Sequence, residues 1–452
     1  MTRVLIVAYY FPPKGGAGTQ RFAKFCKFLP EHGIEPVVLG AGEDLQSRSA
    51  PNDDPTLLED MPAVVERVQA PRRVPFSLWA RRKMRLHLDD DEWALAAGER
   101  AVGLARERSV AAVVTTLSPY ACYRIGAKLQ RELGLPWVLD LRDPWSLDGW
   151  RYYRTGVHAR ADLAHMRRAL TRADFVVANV PEARRAYVEM GADPARTVVV
   201  PNGFDEEDFA GIPAAPARDG RFHLVHMGTL HGVDAPEGLT RNRLLRVRHR
   251  QIAPLGRTGY YLLHALADLK VRAPDVHAQV VVDLYGNVDA THRALAERLG
   301  VSAAIRMHGY VTHRESTAAL VNADAVFVPL HGVPSGERAL VVPGKLYEAL
   351  ASERPVLAAL PPGDGADLIR HLRAGLVVPA TDAQALGRGL SDLVQQRARG
   401  ERLVGCRREH LRVFTRRHLT GLLAQVLRAA VERRREVAVE HPWQSLGIPS
   451  AP

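Results

Sequence analysis

Apolar residues along this chain fall into short, nearly continuous runs separated by stretches with helical periodicity. In the first two hundred or so residues the runs lie at 4–8, 36–39, 110–116, 137–140, 175–178 and 198–200. Each is too short for a helix, and several are apolar throughout, as strands buried on both faces of a parallel sheet are. Between them, Phe22, Phe25 and Leu29 share one face of a helix predicted over 18–29, and 121–133 and 182–190 read as later crossover helices. A second series of strands follows at 222–227, 278–285, 303–307, 325–329, 355–360 and 376–378, with helices at 260–270, 291–299, 344–352 and 383–396. Two alternating series predict an α/β chain of two doubly wound, Rossmann-like parallel-sheet domains.

Acidic residues, prolines and small residues without periodicity fill 204–220, so the first domain is placed at 1–203, a linker at 204–220 and the second domain at 221–405. Residues 406–452 form a C-terminal helix and tail. There Leu419, Leu422, Leu423, Val426, Leu427, Ala430 and Val431 recur at helical spacing, with Arg412, Arg416, Arg417 and the arginines at 433–435 nearby. The expected use of that stripe is packing across the two domains, and the competing one is a basic helix on a membrane surface. Two stretches, 51–91 and 230–256, lack periodicity and read as surface insertions.

The chain has 452 residues, and Lys+Arg 61 against Asp+Glu 50 leaves a net charge of +11. That favours anionic partners without naming one: nucleic acid, a membrane face or a phosphorylated small molecule. Cys26, Cys122 and Cys406 are odd in number and far apart, which argues against a disulfide framework and fits a reducing compartment. No apolar run is long enough to span a bilayer, and 4–8 is too short for a signal-peptide core. The expected location is cytoplasmic, with peripheral attachment to the membrane face still open.

Four constellations can carry chemistry. The first strand runs into Pro12-Pro13-Lys14-Gly15-Gly16-Ala17-Gly18, and glycines at a strand-to-helix turn let a backbone approach a ligand whose phosphate faces the helix N-terminus. The turn matches neither the Walker pattern nor the dinucleotide fingerprint. Arg142-Asp143-Pro144-Trp145 lies just past a strand end, where open α/β sheets bind ligands, although Arg142 and Asp143 could equally be a structural pair. Pro201-Asn202-Gly203-Phe204-Asp205 has hinge chemistry, and Gly228 ends the first strand of the second series. Finally Pro343-Gly344 opens a helix with Lys345 in its first turn and Glu348 one turn on, the places for a diphosphate and for sugar hydroxyls. A solvated surface helix would show the same spacing.

Taken in order along nearly the whole chain, these motifs, with Arg354-Pro355-Val356-Leu357 after the last, resemble a family 4 glycosyltransferase of the GT-B fold. The resemblance implies a retaining transferase that takes a nucleotide-sugar donor on the second domain and an acceptor on the first. The acceptor would be a glycan, a lipid-linked intermediate or a metabolite. By the same likeness Asp143 stands at the reacting sugar and Lys345 on the diphosphate, the two residues given catalytic roles. Glu348 holds the ribose, Tyr310 and Val311 lie by the base, and Gly15, Gly16, Arg142, Gly228, Arg257 and Gly344 line the donor. No metal or other cofactor is expected, and Asp89-Asp90-Asp91 is taken as a solvated turn rather than a metal motif.

The chain departs from the family pattern in three places. Leu340 occupies the position of the usual second acidic residue, with Glu337 as a substitute; the insertion at 230–256 leaves Arg257 as the phosphate contact; and no histidine accompanies Asp143. Alternatives are a nucleotide-sugar 2-epimerase, which shares the architecture, and a non-catalytic subunit that binds a nucleotide sugar or a partner transferase. A nucleic-acid binder is ranked last, because the basic residues are dispersed without a recognition motif.

Overall fold

The computed structural model describes residues 1–15, 17–46, 53–58, 64–69, 90–213, 219–233, 247–403 and 405–449. The chain divides into two compact units, one of residues 1–202, 245–250 and 416–452, the other of residues 203–244 and 251–415.

The first unit is built on a seven-stranded sheet of β1 (Thr2–Val7), β2 (Ile34–Ala41), β3 (Val64–Val68), β4 (Ala112–Leu117), β5 (Trp137–Leu141), β6 (Phe175–Ala178) and β7 (Thr197–Val199). Its order is β3-β2-β1-β4-β5-β6-β7 and the pairings are parallel, so the order reverses between β1 and β4. Strands β4, β5 and β6 are buried along their whole length, which is why their sequences are mostly apolar and do not alternate with solvent-facing polar residues. β3 lies inside the stretch expected as an insertion. It is a partly exposed edge strand whose Glu66 binds Arg100, and such mixed polarity hides an edge strand from a search for apolar runs.

The C-terminal stripe is buried in the core of the first unit. Helix Arg416–Val431 belongs to the first unit: Leu419, Leu423, Val426 and Leu427 are fully buried in the core formed by β1, β4 and the helix Ala17–Phe28. Arg428 donates to the His32 carbonyl (2.9 Å), Arg433 to that of Gly134 (2.8 Å), and Arg417 pairs with Glu31. A membrane-surface helix would need the leucines that this core takes.

The second unit carries a six-stranded parallel sheet, β10-β9-β8-β11-β12-β13. Its strands are β8 (Phe222–Met227), β9 (Val280–Tyr285), β10 (Ile305–Gly309), β11 (Ala325–Pro329), β12 (Val356–Ala359) and β13 (Gly375–Val378). The reversal falls between β8 and β11. Leu262, Leu266 and Leu269 of helix Tyr260–Arg272 and Leu386, Leu390 and Leu393 of helix Ala383–Ala398 close one face. Part of the expected linker is folded: Phe204 and Phe209 are buried, their rings 5.9 Å apart, and Phe204 bridges Thr415. No described helix is long and apolar enough to cross a membrane.

At the C-terminal edge of the first sheet, Arg21 and Asp140 form an ion pair at 2.6 Å with side chains 1% and 0% exposed. Arg21 also donates to the carbonyls of Val200 and Pro201, both at 2.8 Å, and Thr116 donates to Asp140 at 2.8 Å. Removing one partner leaves an uncompensated buried charge. Asp140→Leu is therefore expected to cost about 3–5 kcal/mol in urea denaturation, and Arg21→Met added to it should recover part of that loss. A double variant no more stable than Asp140→Leu would show that the carbonyl bonds, not the charge pairing, carry the stability.

Candidate functional site

In the second unit three neighbouring strand ends finish on glycine with positive φ: Gly228 (101°), Gly286 (102°) and Gly309 (75°). They are stacked main chain to main chain. Gly228 donates its N–H to the Tyr285 carbonyl (2.9 Å) and Gly286 to that of Gly309 (2.6 Å), and a Cβ on Gly286 would lie 2.6 Å from the Gly228 oxygen. A side chain at Gly286 would thus displace its neighbour.

Lys345 enters this edge from the first turn of helix Gly344–Ala351, its stem passing 4.0 Å from where a Gly228 Cβ would stand. Its ammonium lies 3.2 Å from Nε2 of His226, a fully buried residue of β8. Burial, aided by the charge of Arg257, pushes the Lys345 pKa well below the ordinary lysine value. Arg257 ends a turn held tightly in place. Ala253 bridges Gly332, a Cβ on Gly256 would meet the Leu330 carbonyl at 2.7 Å, and Gly259 donates to His292 at 3.0 Å. His231 belongs to the same group: burial first, then Arg257 and Lys345, lower its pKa to about 4.

Glu348, half-buried, follows Lys345 by one helical turn and has no ion pair or hydrogen bond of its side chain among the described residues. Gly344 supplies the first amide of the helix, whose N–H groups lack an intrahelical acceptor. Tyr310, 39% exposed, and Val311 form the short connection from β10 to helix His313–Val321, fixed at its far end by the Thr312–Glu315 capping box. Leu340 is buried, so no carboxylate enters from that position, and Glu337 sits in a turn closed by its own N–H to Pro334. Sequence reasoning missed His226, His231 and His308. His308 stacks on Tyr285 with ring centres 4.1 Å apart and binds buried Asp283 at 2.7 Å, which also takes His223 at 2.6 Å. Isolated histidines, one in the buried strand β8, one in a loop and one at the end of β10, give no pattern to find.

In the first unit the glycine-rich turn is pinned at Lys14, which pairs with Asp53 at 2.6 Å, and at Pro13, whose carbonyl accepts from Asp54. Gly15 is buried there, and Gly16 lies outside the described residues. Arg142 is mainly a packing wedge. Its guanidinium fills the space beside Gly18, where a Cβ would lie 2.2 Å away; it stands over the Tyr10 ring and reaches Ser118 at 3.4 Å. Asp143, 3.3 Å from Arg142, keeps its side chain 45% exposed, so it is the member of the pair presented outward. Behind it the turn is clamped by Trp145, stacked on Tyr120 (5.1 Å) and donating to Asp162 at 3.0 Å. Burial and the Asp143 charge raise the Tyr120 pKa. The acidic run is not a solvated turn: Asp90 accepts from Tyr9 at 3.0 Å, and buried Asp91 pairs with Arg124 at 2.8 Å; Asp89 lies outside the described residues. Among the described residues no three His, Cys, Asp or Glu side chains gather as a metal site.

Two family models match the chain: "Glycosyl transferase 4-like domain" over residues 15–203 and "Glycosyl transferases group 1" over residues 256–396. D-inositol 3-phosphate glycosyltransferase of Kineococcus radiotolerans is 28% identical over 249 residues, a match that spans 50% of this chain and 50% of that protein. Among solved structures, HepE of Anabaena with UDP and glucose has a TM-score of 0.57 at 17% identity, covering 95% of this chain and 100% of that one. Sucrose-phosphate synthase of Thermosynechococcus elongatus has a TM-score of 0.58 at 15% identity, covering 99% and 97%. At those identities the likeness is one of fold.

His231 makes the site acid-sensitive. The unfolded histidine takes up a proton near pH 6.5, whereas the folded one resists it until about 4, so stability present above that window is lost as pH falls through it. Thermal melts of His231→Gln are expected to fall less steeply between pH 7 and 4 than those of the wild type; equal slopes would refute the assignment.

Proposed function

This chain is a glycosyltransferase of the GT-B fold, a member of the family 4, group 1 class, and from that premise we propose that it transfers a sugar from a nucleotide-sugar donor with retention of configuration. The observation that carries this reading is the cationic edge of the second unit. Lys345, Arg257 and the first amides of helix Gly344–Ala351 gather at the Gly228 turn, where no carboxylate pairs with Lys345 among the described residues. An uncompensated cation beside a helix N-terminus suits a diphosphate. Glu348, without a protein partner among the described residues, takes two ribose hydroxyls, and Tyr310 and Val311 border the base. That the HepE structures hold UDP and glucose supports a donor of this class.

In the reaction the bond between the anomeric carbon and the phosphate oxygen breaks, and its electron pair leaves with the diphosphate. The acceptor hydroxyl attacks on the same face, and its proton passes to the departing phosphate oxygen. Lys345, Arg257 and the helix amides stabilise the negative charge as it develops, which lowers the barrier without a metal or other cofactor. Asp143 orients the reacting sugar, and no protein nucleophile is needed. Much of the remaining rate comes from holding the two substrates in line.

The acceptor is a glycan, a lipid-linked intermediate or a small metabolite bound at the first unit. Helix Gly156–Arg172 favours a lipid-linked one: it exposes Arg160, Arg167, Arg168 and Arg172, with Val157 58% exposed on the same element. That surface suits an anionic membrane face.

Two measurements test these assignments. Release of nucleoside diphosphate from a panel of nucleotide sugars, with mass detection of the glycosylated acceptor, should fall about 10- to 100-fold in Glu348→Ala. Retained turnover would remove the ribose role, and isomerised donor without acceptor would favour an epimerase. Sedimentation with vesicles containing phosphatidylglycerol should be salt-sensitive and reduced in a triple Arg160→Gln, Arg167→Gln, Arg168→Gln variant; undiminished binding would place the membrane contact elsewhere.

A further inference from the structure

We propose that His226 is the positioning residue for Lys345, holding its ammonium at the Gly228 turn so that two of its three N–H bonds face the donor diphosphate. The inference deepens the proposed function and rests on the diphosphate reading of this edge. β8 is buried along its whole length, and a histidine there is tolerated only if its ring nitrogens find partners. The ladder between β8 and β11 lasts two residue pairs, Leu224 with Ala325 and Val225 with Val326. His226 stands just beyond them, its Nδ1 3.0 Å from the carbonyl oxygen of Phe327 in β11.

A carbonyl can only accept, so Nδ1 carries the proton and Nε2 keeps its lone pair. Burial, with the Lys345 charge adding to it, holds the His226 pKa well below the ordinary value and keeps the ring neutral. The Nε2 lone pair then receives the Lys345 ammonium at 3.2 Å. The same sheet contact therefore sets the tautomer of the histidine and the direction of the lysine.

The choice of a neutral acceptor matters. The groups around Lys345 are His226 on β8, Arg257 on the turn Pro254–Arg257, His231 after the Gly228 turn, and Glu348 on its own helix. None of these is a carboxylate in ion-pair contact with Lys345 among the described residues. An aspartate at position 226 would also hold the ammonium, but it would cancel the charge that the diphosphate needs. A histidine restrains the flexible four-carbon stem without neutralising its end.

The test is a double-mutant cycle read by calorimetric titration with UDP, GDP, ADP and inorganic pyrophosphate. His226→Leu should weaken diphosphate binding about tenfold, a loss typical of one hydrogen bond to a charged group. In a Lys345→Met background the same change should cost nothing further. His226→Gln, whose amide oxygen reaches the Nε2 position, should regain most of the affinity, whereas His226→Asn, which reaches only the Nδ1 position, should not. The Gln and Asn pair decides the matter if His226→Leu does not fold. Additive losses in the cycle, or Gln no better than Asn, overturn the positioning role alone. Failure of the wild type to bind any of the four probes overturns the diphosphate reading together with it.

Discussion

The Arg21–Asp140 pair determines how the C-terminal edge of the first sheet can be built. β7 ends at Val199, and the next two carbonyls, of Val200 and Pro201, point into protein rather than water. Unpaired, each would carry a desolvation cost. Arg21 answers both from the helix after β1, and Asp140 at the end of β5 makes its burial tolerable. One side chain thereby ties the ends of β5 and β7 to the start of the first helix. Two residues beyond Asp140, Arg142 lies against Gly18 and over the Tyr10 ring.

The second unit solves a similar problem with the opposite chemistry. Lys345, like Arg21, is a cation early in a helix that follows a glycine-bearing turn. Arg21 is neutralised by a buried carboxylate and bonded on several sides; Lys345 meets a neutral imidazole and a second cation. The first arrangement neutralises its charge within the fold, and the second does not. Nothing within either helix distinguishes the two, because the deciding residues, Asp140 and His226, come from strands far away in sequence.

That contrast explains how much was legible in the sequence. Strands buried on both faces announced themselves as apolar runs, and β1, β5, β6, β8, β11 and β12 lie at or close to their expected places. β3 did not, because an edge strand with Glu66 and Arg67 carries no such run. The placing of Lys345 and Glu348 on one helix, and of Gly228 at a strand end, followed from spacing. Their surroundings did not. The His226 ring, the stacked Tyr285 and His308, and the wedge made by Arg142 depend on neighbours brought together by the sheet order. Asp90 and Asp91 misled because local polarity says solvent, while Tyr9 and Arg124 arrive from elsewhere to bond them.

The placement of helix Arg416–Val431 has a consequence for how the protein is made. Its leucines complete the core of a unit whose first strand, β1, lies about four hundred residues earlier in the sequence. On the ribosome, residues 1–202 emerge without Leu419, Leu423, Val426 and Leu427, and their apolar face stays open while more than two hundred further residues are synthesised. All residues assigned to the second unit precede that helix, so the second unit can begin to fold in the interval. Emergence of residues 416–431, rather than of residues 1–202 alone, is then the event that closes the core of the first unit, and loss of that helix would be felt at strands β1 and β4.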